Sequence, residues 1–141
     1  LNARCSVISA ANPIYSEYAR DQSFGWQVVG AVQPSDFADP TPSEVVTLIE
    51  QIRAEGVPTI FGSEVFPSNV LEEVGNETGV RYEQSLRDDD LPGAPGEENH
   101  SWLGLMQYNF ATMIEGLGGD APNVRAVDIT SPVPDNADYP Q

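Results

Sequence analysis

The chain has 141 residues, with 22 Asp and Glu against six basic residues, a formal charge of −16 at neutral pH and an apolar fraction of 40%. That length suits one domain with one core, and the charge argues against a surface built for nucleic acid or anionic lipid, since no basic stripe exists to release counterions from phosphate. A single cysteine, Cys5, rules out an internal disulfide and any all-cysteine metal cluster.

In chain order, Ser6 to Ser9 reads as a short strand. Asn12 and Pro13, a cap followed by a first-turn proline, open a helix that carries Tyr15, Tyr18 and Ala19 inward. Trp26 to Val32, WQVVGAV, gives a second strand. From Thr41 to Gly56 the sequence predicts a helix with Thr41 as N-cap, Pro42 at the first position and Glu44 completing a capping box. Val45, Leu48, Ile49 and Ile52 follow at helical spacing and Gly56 supplies a left-handed stop. Val57 to Phe61 is a third strand, with Pro58 near its start, where a missing donor is tolerable. A helix from Ser68 to Thr78 places Val70, Leu71 and Val74 on one face, Gly79 ends it, and Val80 to Tyr82 begins a fourth strand. Arg87 to Asn99, RDDDLPGAPGEEN, is too rich in Pro, Gly and acid for regular structure. The last long helix runs from Ser101 to Leu117, with Leu103, Met106, Phe110, Met113, Ile114 and Leu117 as its expected buried stripe and Gly118 as its stop. From Asp120 to Gln141 the chain carries four prolines and few apolar residues, the composition of an irregular extension.

This alternation predicts an α/β fold, a four-stranded parallel sheet with helices on both faces, over residues 1–119, followed by the extension 120–141. No run approaches the roughly 18 apolar residues of a membrane helix. The opening at Leu1 rather than Met suggests a processed or truncated product. Ligands of parallel sheets collect outside the carboxyl ends of the strands, which directs attention to the loops Ala10 to Pro13, Gln33 to Pro40, Gly62 to Pro67 and Leu86 to His100.

The last of these loops holds Asp88, Asp89 and Asp90, the pair Glu97 and Glu98, and His100, the sole histidine. Carboxylates and an imidazole brought to one sheet edge can bind a divalent cation, while a solvated acidic loop with His100 as a helix-start residue is the structural alternative. The chain has no GxSxG elbow, no GxGxxG and no P-loop, so acyl transfer, dinucleotide binding and phosphate chemistry lack support and the chain is expected not to be an enzyme.

Five stretches carry a family resemblance: YARDQSF, PTPSEVVTLIEQIRAEGVPTIF, FPSNVLEEVGNETGVRY, SLRDDDLPG and SWLGLMQYNFATMIEGL, in order between Arg4 and Leu117. In that order and spacing they resemble the C-terminal half of the solute-binding proteins of zinc and manganese ABC importers, the TroA-like periplasmic metal-binding proteins. The resemblance implies one of two similar α/β lobes joined by a rigid helix, with one metal held between them. It implies an N-terminal lobe that supplies two histidines, and a C-terminal lobe that gives a His or Glu after its first strand and an Asp after its fourth. The Asp falls on Asp89, because the family's Asp-Ser-Leu stretch matches Asp89, Asp90 and Leu91. The first position falls on Asn12, or on Ala10 if the chain holds a short insertion; Asn12 before Pro13 is also fully explained as a helix cap. His100 is the candidate substitute. The resemblance further implies an extracytoplasmic location, zinc or manganese as the transported ligand, and two partners, the N-terminal lobe and an ABC permease in the membrane. The isolated lobe is then expected to bind metal weakly. The rival readings are a noncatalytic adhesion or scaffold lobe that has lost the metal site and, third, an acid-rich hydrolase.

Overall fold

In the computed structural model, residues 5–9, 26–31, 40–63, 69–88, 90–130 and 133 are described. The β-branched and apolar runs form strands β1 (Cys5–Ser9), β2 (Trp26–Ala31) and β3 (Thr59–Ser63), and the more polar run RYEQSL forms β4 (Arg81–Leu86). They make one sheet in the order β2-β1-β3-β4, and every neighbouring pair is parallel. Val7 of β1 lies between Val28 of β2 and Thr59 of β3, and Ile60 of β3 lies between Ile8 of β1 and Tyr82 of β4. The register shifts between Val7 and Ile8 against β2, and between Phe61 and Ser63 against β4.

Helices α1 (Pro42–Glu55), α2 (Asn69–Thr78), α3 (Trp102–Gly116) and α4 (Pro122–Arg125) alternate with and follow these strands. The start of α1 is as its sequence predicts. The Glu44 N–H donates to the Thr41 hydroxyl at 3.4 Å and the Thr41 N–H donates to the Glu44 carboxylate at 2.7 Å, satisfying two of the donors a helix start leaves open. The Thr41 hydroxyl also donates to the Glu44 carboxylate at 2.7 Å, and this bond together with that from the Thr41 N–H holds the Glu44 carboxyl below the ordinary range. Gly56 closes the helix in the left-handed region at φ 61°. The helix expected to open at Asn12 and Pro13 lies outside the described residues.

Adjacent residues of a strand point to opposite faces, so Ile60 and Phe61 of β3 seed two cores. Ile60 packs with Leu48 and Ile52 of α1, Leu71 and Val74 of α2, and Val57. Phe61 packs with Leu86 and Met113, against which Phe110 and Leu117 lie. The crossovers from β2 to β3 and from β3 to β4 step in the same direction across the sheet. Right-handed crossovers therefore set α1 and α2 on one face, and α3, leaving the edge strand β4, covers the other.

The rotation of α3 differs from the stripe its sequence suggests. Of Leu103, Met106, Phe110, Met113, Ile114 and Leu117, only Met113 is buried, whereas Leu105, Asn109, Ala111 and Gly116 turn inward and Leu103 is 43% exposed. The helix is apolar on more than one side, so hydrophobicity alone does not fix which side meets the sheet. Close approach decides it, since a Cβ at Gly116 would lie 2.7 Å from the Phe61 ring. The second apolar side, with Leu103, Met106, Phe110 and Ile114, forms one wall of a groove of about 290 Å³ whose other wall includes Val124 and Val127. The stretch after Asp120 is thus not wholly irregular: α4 docks on α3. The Gln107 side-chain amide lies 3.0 Å from the Val124 carbonyl and 2.9 Å from that of Val127, and the Arg125 guanidinium pairs with Glu115 at 2.8 Å. Among the described residues, no helix is long and apolar enough to cross a membrane.

Candidate functional site

The strand order places a topological switch at β1, because the connection after β1 runs to β2 on one side and the chain then returns to β3 on the other. Crevices for ligands open at the carboxyl ends of such strands. The connections that leave β1 and β3 there, with Asn12 and Ala10 in the first, lie outside the described residues. The connection that leaves β4 is described except for Asp89, and it runs from Arg87 to Ser101.

This loop is tied at its root, across its first turn and at its return. At the root, the Arg87 N–H donates to Asn109 Oδ1 and the Asn109 Nδ2 donates to the Arg87 carbonyl, both at 2.9 Å. Across the first turn, the Arg87 guanidinium sits 5.5 Å from the centre of the Tyr108 ring and donates to the Leu91 carbonyl at 3.3 Å. In the middle, the Glu97 carboxylate accepts the Ala94 N–H at 3.0 Å and the His100 N–H donates to the Glu97 carbonyl at 3.0 Å. At the return, Ser101 caps α3 by accepting the Gly104 N–H at 3.0 Å. Gly104 is required there, since a Cβ would lie 2.0 Å from the Asn99 carbonyl oxygen.

The candidate donors do not gather into one described cluster. Among the described residues, no group of three His, Cys, Asp or Glu is arranged to hold a metal ion. The reason is visible in the loop itself: Glu97 turns back onto Ala94, and Glu98 reaches the Thr130 hydroxyl at 3.4 Å. His100 stands directly before the cap of α3, partly buried, with both ring nitrogens shielded from solvent. Asp88 and Asp90 flank Asp89, whose own placement lies outside the described residues, as does that of Asn12. Nearby, burial opposes the charge of Glu83 on β4, but hydrogen bonds from Ser85 and Arg81 outweigh it and hold the carboxyl below the ordinary range. Asp128 is held low by the Thr130 hydroxyl and N–H.

Sequence reading passed over Asn109, Arg87 and Gly104, which shape the loop without being donors. The available signal was Asn109 itself, a polar residue in the middle of an apolar helix and fully buried in the fold.

Residues 6–116 match the family described as zinc-uptake complex component A, periplasmic (ZnuA). The chain belongs to this family. Among curated proteins, the ZnuA-family chain is 29% identical over 77 residues to the metal ABC transporter substrate-binding lipoprotein ScbA of Streptococcus cristatus, a match covering 55% of this chain and 24% of the relative. It is 27% identical over 77 residues to the manganese ABC transporter substrate-binding lipoprotein PsaA of Streptococcus pneumoniae, covering 55% of this chain and 25% of that one. Among solved structures, the SBP FpvC from Pseudomonas aeruginosa in complex with Mn²⁺ superposes with a TM-score of 0.57 at 24% identity, over 81% of this chain and 40% of FpvC. The laminin-binding protein Lbp of Streptococcus pyogenes superposes with a TM-score of 0.62 at 14% identity, over 83% of this chain and 43% of Lbp. At these identities the superpositions show the shared α/β fold. The ZnuA-family chain thus spans about a quarter of the curated relatives and about two fifths of the solved ones.

Proposed function

We propose that this chain is the C-terminal lobe of a two-lobed, extracytoplasmic solute-binding component of an ABC importer, with zinc or manganese as its cargo. The match of residues 6–116 to a periplasmic zinc-uptake family carries this reading. The curated relatives, named as metal ABC transporter substrate-binding lipoproteins, support it. The lobe captures and releases an ion and catalyses no reaction. Its partners are an N-terminal lobe, which supplies the remaining ligands, and the membrane permease that receives the ion.

In this reading Asp89 is the principal ligand, in the loop that leaves the carboxyl end of β4, and Asn12, after β1, stands where the family places a His or Glu. His100 supplies an imidazole from the far end of the Asp89 loop. A hard carboxylate beside one nitrogen donor suits manganese or zinc, and ligand number then separates the two. With at most half of a site on this lobe, affinity in isolation is low. Titrating zinc and manganese into the chain by calorimetry is expected to give weak binding that Asp89→Ala abolishes and His100→Ala reduces. Nanomolar binding by this lobe alone contradicts the two-lobed reading. No binding at all, with or without a preceding lobe, favours a noncatalytic adhesion or scaffold lobe that has lost its site.

A further inference from the structure

Thr59 and Asn109 are the two fully buried polar side chains among the described residues, each at 0% exposure. Both fasten α3 to the sheet. Thr59 on β3 donates its hydroxyl proton to the Gly116 carbonyl at the end of the helix. Asn109, in the middle of α3, pairs with both backbone groups of Arg87. The second contact has a consequence the first lacks. β4 is an edge strand, and just past its last residue the Asn109 carboxamide takes the place a neighbouring strand would occupy, offering one donor and one acceptor in the spacing of a β-bridge.

Arg87 is also the residue from which the acidic loop departs. Its backbone is held by Asn109, and its guanidinium closes the first turn on the Leu91 carbonyl. Asp88, Asp89 and Asp90 are the three residues between those anchors. Three consecutive carboxylates repel one another, and without a fixed root the segment would spread and lose the geometry a cation requires.

We propose that Asn109 is a positioning residue for metal capture, fixing through the Arg87 backbone the point and direction at which the aspartate loop leaves β4. This rests on the metal-binding reading above and adds to it a residue that never touches the ion. Groups that orient ligands from behind typically change metal affinity 10- to 100-fold when removed.

The test compares Asn109→Leu, which keeps the volume and removes both hydrogen bonds, with Thr59→Val, which unfastens the other end of the same helix. Both are made in the full chain, and urea unfolding ranks their stability. Mn²⁺ alone is titrated into each protein, followed by paramagnetic broadening of backbone amides in NMR spectra. In the unaltered chain, broadening is expected to centre on the amides of residues 88–91. Asn109→Leu is expected to weaken binding about tenfold or more and to spread the broadening along the loop, while Thr59→Val leaves affinity within about twofold at a comparable loss of stability. Asn109→Ala, which is smaller and also removes both hydrogen bonds, is expected to weaken binding likewise and stands in if the leucine variant does not fold. Equal losses of affinity in the Asn109 and Thr59 variants, or full affinity in a folded Asn109 variant, overturn the proposal. If neither Mn²⁺ nor Zn²⁺ is bound by the unaltered chain, alone or joined to a preceding lobe, or Asp89→Ala binds as well as the unaltered chain, the metal-binding reading itself fails and the role assigned to Asn109 goes with it.

Discussion

Thr59 places a hydroxyl on the face of β3 whose core is otherwise filled by Phe61, Leu86 and Met113. A buried polar group is tolerated only when bonded, and here the bond reaches the last turn of α3, where helix carbonyls lack intrahelical donors. Thr59→Val preserves shape but leaves the Gly116 carbonyl without its hydroxyl donor. It is expected to lower unfolding free energy by about 1–3 kcal/mol in urea titrations; a change within error would mean that water or another group serves that carbonyl equally well. The choice of threonine over valine was not legible beforehand, because both residues suit a strand and the acceptor lies 57 positions away in sequence. Asn109 stood out as a polar residue within an apolar helix, but its partner was not legible. Its mid-helix position is unfavourable by propensity, and only the arrival of Arg87 beside it explains its presence.

Among the elements, α1 and α3 mark the two extremes of legibility. The capping box, the first-turn proline and the left-handed glycine of α1 are local signals within 16 residues, and all of them are realised. In α3 the start near Ser101 and the length were readable, but the buried face was not, because apolar residues occupy more than one side. The observed rotation makes a direct prediction. Met113 lies in the core with Phe61 and Leu86, whereas Met106 lines the open groove toward Val124 and Val127. Met113→Ala is therefore expected to cost about 2–5 kcal/mol, and Met106→Ala about half of that or less. Chemical denaturation of the two variants checks the ordering; equal losses would show that α3 sits in the rotation its sequence first suggests.

For the whole molecule, a formal charge of −16 on 141 residues means that folding gathers carboxylates into a smaller volume, and their mutual repulsion opposes compaction. Screening relieves it. Added salt shortens the Debye length from about 30 Å at 0.01 M to about 10 Å at 0.1 M, so the melting temperature is expected to rise over that range in calorimetric scans. A flat profile would show that surface repulsion is negligible in this fold. The Glu83 carboxyl, held low against its own burial, contributes in the opposite sense to acid. Its stabilisation is complete above the ordinary glutamate pKa of about 4.3 and is lost as pH falls through its lower folded value.

The sequence by itself determined the alternation of strands and helices, the α/β class with parallel pairing, the caps of α1, the span of α3 and the family, because each is encoded in residues that are neighbours along the chain or in the order of short motifs. Tertiary structure decided which side of α3 meets the sheet, that residues 122–125 dock on it, and that Asn109 grips the root of the aspartate loop. Those outcomes depend on close approach and on hydrogen bonds between residues far apart in sequence, and such pairs come together only when the whole chain packs.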